Sequence, residues 1–307
     1  MILFRSHSEI DKEKWDACIR ESANGMIYGY SWYLDIVSPG WAGLIEDAYT
    51  AVFPLTQRKK FGLQYLHQPF FTQQLGLFSK QENNPSQLQE FLNSIPSIFR
   101  LIEIQLNVGN TFPLQIKGAE FNKRITHHLE LNKTKSAAVS NYSENLKRNI
   151  RKAEKSKLKI DTSIQLEQII EMFRATRGKN IETLHDKDYQ TLTKLVKVCE
   201  RDGKAELLGA QLPDGKFIAG AVFLKSLDSY IFLFSATLPE GRDTGAMSAL
   251  LDGFIERHLG EAMILDFEGS MDPNLARFYK SFGSKEVVYL QFRKNKLPPL
   301  IRWLKHN

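Results

Sequence analysis

Apolar and polar positions along the chain alternate between two periods. From Ser8 to Ile19, Ile10, Trp15, Cys18 and Ile19 make a rough helical stripe, and Ser8 can cap its start. Ala48 to Leu55 reads as a strand that Pro54 confines to an edge or an exit. Arg58 to Gly62 reads as a turn between strands, and the aromatic run from Gln68 to Phe78 has no helical period. A helix is expected from Ser86 to Ile95, between Pro85 and Pro96, and a short strand from Leu101 to Leu106. The polar, small-residue stretch Leu131 to Asn141 reads as a linker, dividing the chain into residues 1–135 and 136–307.

The second part carries a clearer order. Ser143 caps a helix whose apolar stripe is Leu146, Ile150 and Ala153. Arg148, Arg151, Lys152 and Lys155 fall at i, i+3, i+4 and i+7, so they share another face of it. A short strand, Leu158 to Thr162, precedes helices at Leu166 to Arg174 and Asp188 to Cys199. Three strands follow, Ala205 to Gln211, Phe217 to Leu224 and Tyr230 to Ser235, turned by Pro213-Asp214-Gly215 and Asp228-Ser229. A helix from Thr244 to His258, a strand from Ala262 to Phe267, a helix from Asn274 to Phe282 and a strand from Glu286 to Phe292 complete the pattern.

Composition narrows the class. At about 100–200 residues per domain, 307 residues suggest two. Hydrophobic residues at 42% are enough for a sizeable core and exclude a disordered chain. Two cysteines, Cys18 and Cys199, build neither a disulfide framework nor a thiolate metal site, and fit a reducing cytoplasm. The opening residues lack a signal-peptide pattern and no apolar stretch is long enough to span a membrane, so a cytoplasmic location without stable membrane insertion is expected. HExxH, CxxC, Walker and GxGxxG patterns are missing, and adjacent His127 and His128 point to opposite strand faces, so no metal site is expected. The basic tail, residues 296–307, reads as amphipathic and packed on the body. A net charge of +6 suits a phosphate-bearing ligand or RNA.

Candidate chemistry lies in three places. Strand alternation sets Asp266 and Glu268 on one face, where either could accept an amine proton or hold an ammonium group. Ser270 follows as a candidate substrate contact. The Arg148, Arg151, Lys152 face suits phosphates, and in the Ser235 to Gly245 stretch Gly241 and Gly245 permit close backbone approach while Arg242 suits a pyrophosphate.

The element order resembles the GNAT acyltransferase fold. Within Leu265 to Ser284, Asn274, Ala276, Tyr279 and Gly283 match the end of such a domain, with the Ala-to-Tyr spacing one residue shorter than usual. The segment from Asn145 to Ile160 and the early AVFPLTQRKKFG and PFFTQQLGLF runs are similar to FemAB-type proteins, aminoacyltransferases that extend peptidoglycan bridge peptides. The resemblance implies an α/β chain of tandem GNAT-like domains with mixed central sheets and the active site in the second. It implies transfer of an acyl or aminoacyl unit, from acyl-CoA or aminoacyl-tRNA, to an amine of a small molecule or cell-envelope precursor. Tyr279 is then the proton donor to the leaving group, and the loop before the Thr244 helix supplies amides for phosphates. The long helical arm common in tRNA-dependent members does not fit between Asp161 and Gly203, which counts against tRNA as donor and partner. A catalytically idle module holding a phosphorylated ligand or RNA in the same cleft is the alternative, and the oligomeric state is left open.

Overall fold

The computed structural model describes residues 1–82, 84–268 and 271–297, which form two compact units. Residues Met1–Ile125 with the chain from Val287 onward make the first, and Thr126–Glu286 the second. The boundary falls ten residues before the one expected at 135/136, and the last strand returns to the first unit instead of closing the second.

The first unit contains β1 (Ile2–Arg5), α1 (Lys12–Glu21), α2 (Ser31–Val37), β2 (Ala42–Glu46), β3 (Ala51–Leu55), β4 (Gln57–Lys60), β5 (Leu63–Leu66), β6 (Phe78–Ser79), α3 (Pro85–Asn93), β7 (Phe99–Gln105) and most of β8 (Ala119–Glu130). The second adds α4 (Lys135–Ser140), α5 (Glu144–Lys155), β9 (Lys159–Asp161), α6 (Leu166–Ala175), α7 (Asp186–Arg201), β10 (Ala205–Gln211), β11 (Phe217–Lys225), β12 (Ser229–Thr237), α8 (Pro239–Thr244), α9 (Ala246–His258), β13 (Ile264–Asp266) and α10 (Pro273–Lys280). The chain closes with β14 (Lys285–Asn295).

In the first unit β1, β2, β3 and β6 pair antiparallel, and β4, β5, β7 and β14 form a second ladder in which β5 and β7 run parallel. Phe53, Phe91, Phe99 and Phe292 centre its core. In the second unit β9 to β12 are an antiparallel meander, β12 pairs parallel with β13, and β13 pairs antiparallel with the end of β8. The β4–β5–β7–β14 ladder and the second unit's sheet are therefore mixed, as expected, whereas the β1–β2–β3–β6 sheet is antiparallel throughout. Phe223 on β11 stacks on Phe254 of α9, ring centroids 3.7 Å apart, and fixes that helix on the sheet.

The expected linker, 131–141, instead contains α4. The Thr134 hydroxyl accepts the Ala137 amide and starts a helix that the small residues permit. Helix α1 begins at Lys12 rather than Ser8, because Asp11 caps it by accepting the Lys14 amide. Cys18 and Cys199 are buried and neither forms a disulfide. Among the described residues no helix is long and apolar enough to cross a membrane. Most of the tail lies outside the described residues.

Candidate active site

The second unit's sheet opens at its centre. Strand β12 pairs with β13 only through Ser229–Ile231 against Ile264–Asp266, then continues to Thr237 paired with β11 on its other side. A parallel pair that parts company exposes backbone and side chains at the carboxyl ends of its strands, where ligands bind in α/β sheets. A cavity of about 320 Å³ fills the opening. Its walls include Phe232, Ser235 and Thr237 of β12, Gly241 and Arg242 of α8, Gly245 and Ser248 at the head of α9, and Phe278 and Tyr279 of α10.

Helix α9 meets this cavity with its N-terminus. Gly245 is its N-cap and has no side chain to accept the first amides. Those donors and the helix dipole favour an anion there. Gly245 also has a packing role: its φ is +72° and a Cβ would lie 2.4 Å from the Asn149 carbonyl oxygen of α5. Gly241 likewise approaches β11, where a Cβ would meet the Ile218 carbonyl oxygen at 2.5 Å. Both glycines line the cavity, but the close approach that demands them is to protein backbone.

The basic face of α5 adjoins this junction. Arg148, Arg151, Lys152 and Lys155 are exposed and line a shallow cleft of about 490 Å³ that shares Asn149 with the central cavity. Lys152 donates to the Asp243 carbonyl at 3.3 Å and Arg148 to Asn145 Oδ1 at 3.3 Å. The Ser143 hydroxyl accepts the Leu146 amide, the cap expected, a contact that stabilises a helix by about 1 kcal/mol.

Tyr279 is 7% exposed and stacks on Phe267 with centroids 4.9 Å apart. Its hydroxyl makes no hydrogen bond to a described residue. Burial pushes its phenol well above the ordinary range, Glu268 adds to the shift and Arg177 opposes it. At neutral pH the group is protonated and available as a donor.

The two carboxylates differ from each other. Strand β13 ends at Asp266, and Glu268 turns into the left-handed region at φ +63°, so alternation does not extend to Glu268 and the expected shared face is lost. Asp266, 8% exposed, accepts from the Thr126 hydroxyl and from the Glu268 amide at 2.8 Å, and lies 3.3 Å from His128 Nε2. It joins β8 to β13 and is absent from the cavity wall. Glu268 is half-buried and reaches Tyr279 electrostatically. A left-handed non-glycine residue costs about 1–2 kcal/mol, the kind of strain that collects beside functional sites. Ser270 lies outside the described residues.

Sequence reasoning passed over Arg177, Asn149 and Phe173, which also line the cavity. Arg177 opens a short 3-10 turn, Arg177–Asn180, directly after α6, and lines the cavity together with the end of β12. Among the described residues no group of three or more His, Cys, Asp or Glu is placed to hold a metal.

With this geometry in hand, residues 140–270 match the family model described as an acetyltransferase (GNAT) domain. Over its whole length the chain has a FemX-like fold, of which residues 140–270 are the GNAT part. It is similar to the crystal structure of FemX, with TM-score 0.67, 14% identity and 99% of each chain covered. It also resembles the C-terminal domain of a lysylphosphatidylglycerol synthetase from Agrobacterium fabrum, with TM-score 0.58, 12% identity and coverage of 94% of this chain and 92% of that one. L-PGS from Bacillus licheniformis aligns with TM-score 0.52 and 12% identity over 94% and 93%. No curated protein sequence matches the chain significantly.

Proposed function

We propose that the protein is an N-acyltransferase or aminoacyltransferase of the FemAB-like group, moving an acyl or aminoacyl unit onto an amine of a cell-envelope precursor of the peptidoglycan type. One observation carries the reading: a buried, protonated Tyr279 hydroxyl without a described partner stands on the wall of the cavity that α9 enters with its N-terminus. The peptidoglycan acceptor rests on the sequence resemblance and the FemX-like fold.

Acyl transfer breaks the bond between the donor's carbonyl carbon and its sulfur or oxygen and forms a carbon–nitrogen bond. One proton must reach the leaving atom and one must leave the amine. Tyr279 supplies the first and Glu268 takes the second. Arg242 and the α9 amides hold the donor's phosphates, and Arg148, Arg151 and Lys152 extend that surface. Acyl-CoA and aminoacyl-tRNA both bring phosphates to it.

Tyr279→Phe should lower kcat by about 100-fold while the thermal shift produced by the donor stays as in the wild type. Unchanged turnover would remove Tyr279 from the chemistry. A binding module is the second reading, favoured because no Asp or Glu lines the cavity among the described residues. Glu268→Gln separates the two: an enzyme loses turnover and keeps binding, whereas a module has no turnover to lose.

A further inference from the structure

One end of the first unit's β4–β5–β7–β14 ladder gathers cations and apolar side chains, and the two carboxylates close by, Glu103 and Glu120, are both held by Arg293. The β4–β5 hairpin turns at Phe61-Gly62, with Lys60 paired to Leu63. Phe61 is 89% exposed, and Arg58, Lys59 and Lys60 beside it are exposed as well. The parallel register Gln64 to Phe99 brings Leu63 level with Ile98, which is 49% exposed. On the other side of β7, Asn295 pairs with Leu101 and the Lys296 amide donates to the Arg100 carbonyl at 2.7 Å. Arg100, Lys294 and Lys296 therefore stand at the same end as the hairpin tip.

None of Arg58, Lys59, Lys60, Arg100, Lys294 or Lys296 has an ion pair with a described residue. The contributing segments, 54–66, 94–101 and 287–297, contain no Asp or Glu. The crowding is felt: burial and the neighbouring charge of Lys296 lower the Lys294 ammonium below its ordinary range. The ammonium of Lys60 lies 5.3 Å from the Phe61 ring centroid, so the tip presents an aromatic face and a charge together.

We infer that this end of the ladder is a docking surface for an anionic phospholipid bilayer. Unpaired lysines and arginines are drawn to the negative surface potential of such a membrane, each adding a comparable increment. Phe61 and Ile98 can enter the headgroup region, where an apolar side chain adds a second, short-range attachment. A polyanion such as RNA would use the same cations and can stack a base on Phe61, but it gives no use for the aliphatic Ile98 held in water beside them, whereas a bilayer takes both. The fold, not the acyl-transfer reading, carries this inference.

Co-sedimentation of the full-length protein with vesicles tests it. Phosphatidylcholine vesicles containing about one-third phosphatidylglycerol should retain the protein at low salt, and pure phosphatidylcholine should not. The Lys59→Glu, Lys60→Glu double variant should lower the partition coefficient more than tenfold, and Phe61→Ser several-fold at equal salt. All three positions are exposed, so thermal unfolding serves as the control that the variants fold. Equal binding to both vesicle types, or variants that bind as the wild type does, would overturn the inference. Retention by a homopolymer RNA with no retention by anionic vesicles would assign the face to nucleic acid instead.

Discussion

Asp266 shows how a residue with the right chemistry can be occupied by the fold. Its oxygens serve Thr126, the Glu268 amide and His128, so Asp266→Ala should destabilise the protein by about 1–3 kcal/mol, read by urea denaturation. Stability unchanged within error would return Asp266 to the list of catalytic candidates. His258 is a second residue whose charge the fold uses. Its Nε2 lies 2.8 Å from Glu206 and its Nδ1 2.8 Å from Glu261, and Tyr230 also donates to Glu261. Burial alone would lower the imidazole, but the two glutamates outweigh it and raise it. That contribution is fully present below the ordinary value of 6.5 and is lost as pH rises through the raised folded value. Glu261, held down first by its bond to His258, and Glu206, where burial is outweighed by His258 and Arg257, contribute above their ordinary 4.5 and lose it as pH falls. Melting temperatures across pH should therefore drop above neutrality more steeply in the wild type than in His258→Gln. Parallel curves would contradict this network.

At the scale of elements, the α8–α9 junction is the joint that presents a helix N-terminus to the cavity. Gly245→Ala places a Cβ against the Asn149 carbonyl at a left-handed φ, and should cost about 1–3 kcal/mol in denaturant unfolding. A neutral substitution would mean that α5 moves aside freely. Charge reversal at Arg148 and Arg151 should weaken CoA binding about tenfold at low salt and less at high salt, as calorimetry would show. The same comparison explains what was legible. The second unit's elements announced themselves through caps and turns: Ser143 before α5, Pro213-Asp214-Gly215 between β10 and β11. In the first unit β1, α2 and β2 went unread. Strand β2 is buried over most of its length and so shows no alternation, and α2 is seven residues without a capping side chain. The site was legible in its types but not in its arrangement. Tyr279 and Arg242 reached the cavity wall, whereas the left-handed turn at Glu268 and the fold of the chain at Arg177 depend on contacts no local pattern encodes.

For the whole molecule, the fold supplies a cavity with an anion-favouring helix end, a neutral acid and two arginines, Arg177 and Arg242. A binding module needs the first and the last of these; only acyl transfer uses the buried hydroxyl. The most direct test is mass spectrometry of UDP-linked muropeptide incubated with the protein and, separately, acetyl-CoA, a longer acyl-CoA and aminoacyl-tRNA. The account predicts that one donor adds its acyl mass to the acceptor through a new amide, and that Tyr279→Phe slows this about 100-fold. Donors that bind and stabilise the protein while the acceptor's mass never changes, whichever donor is present, would contradict it.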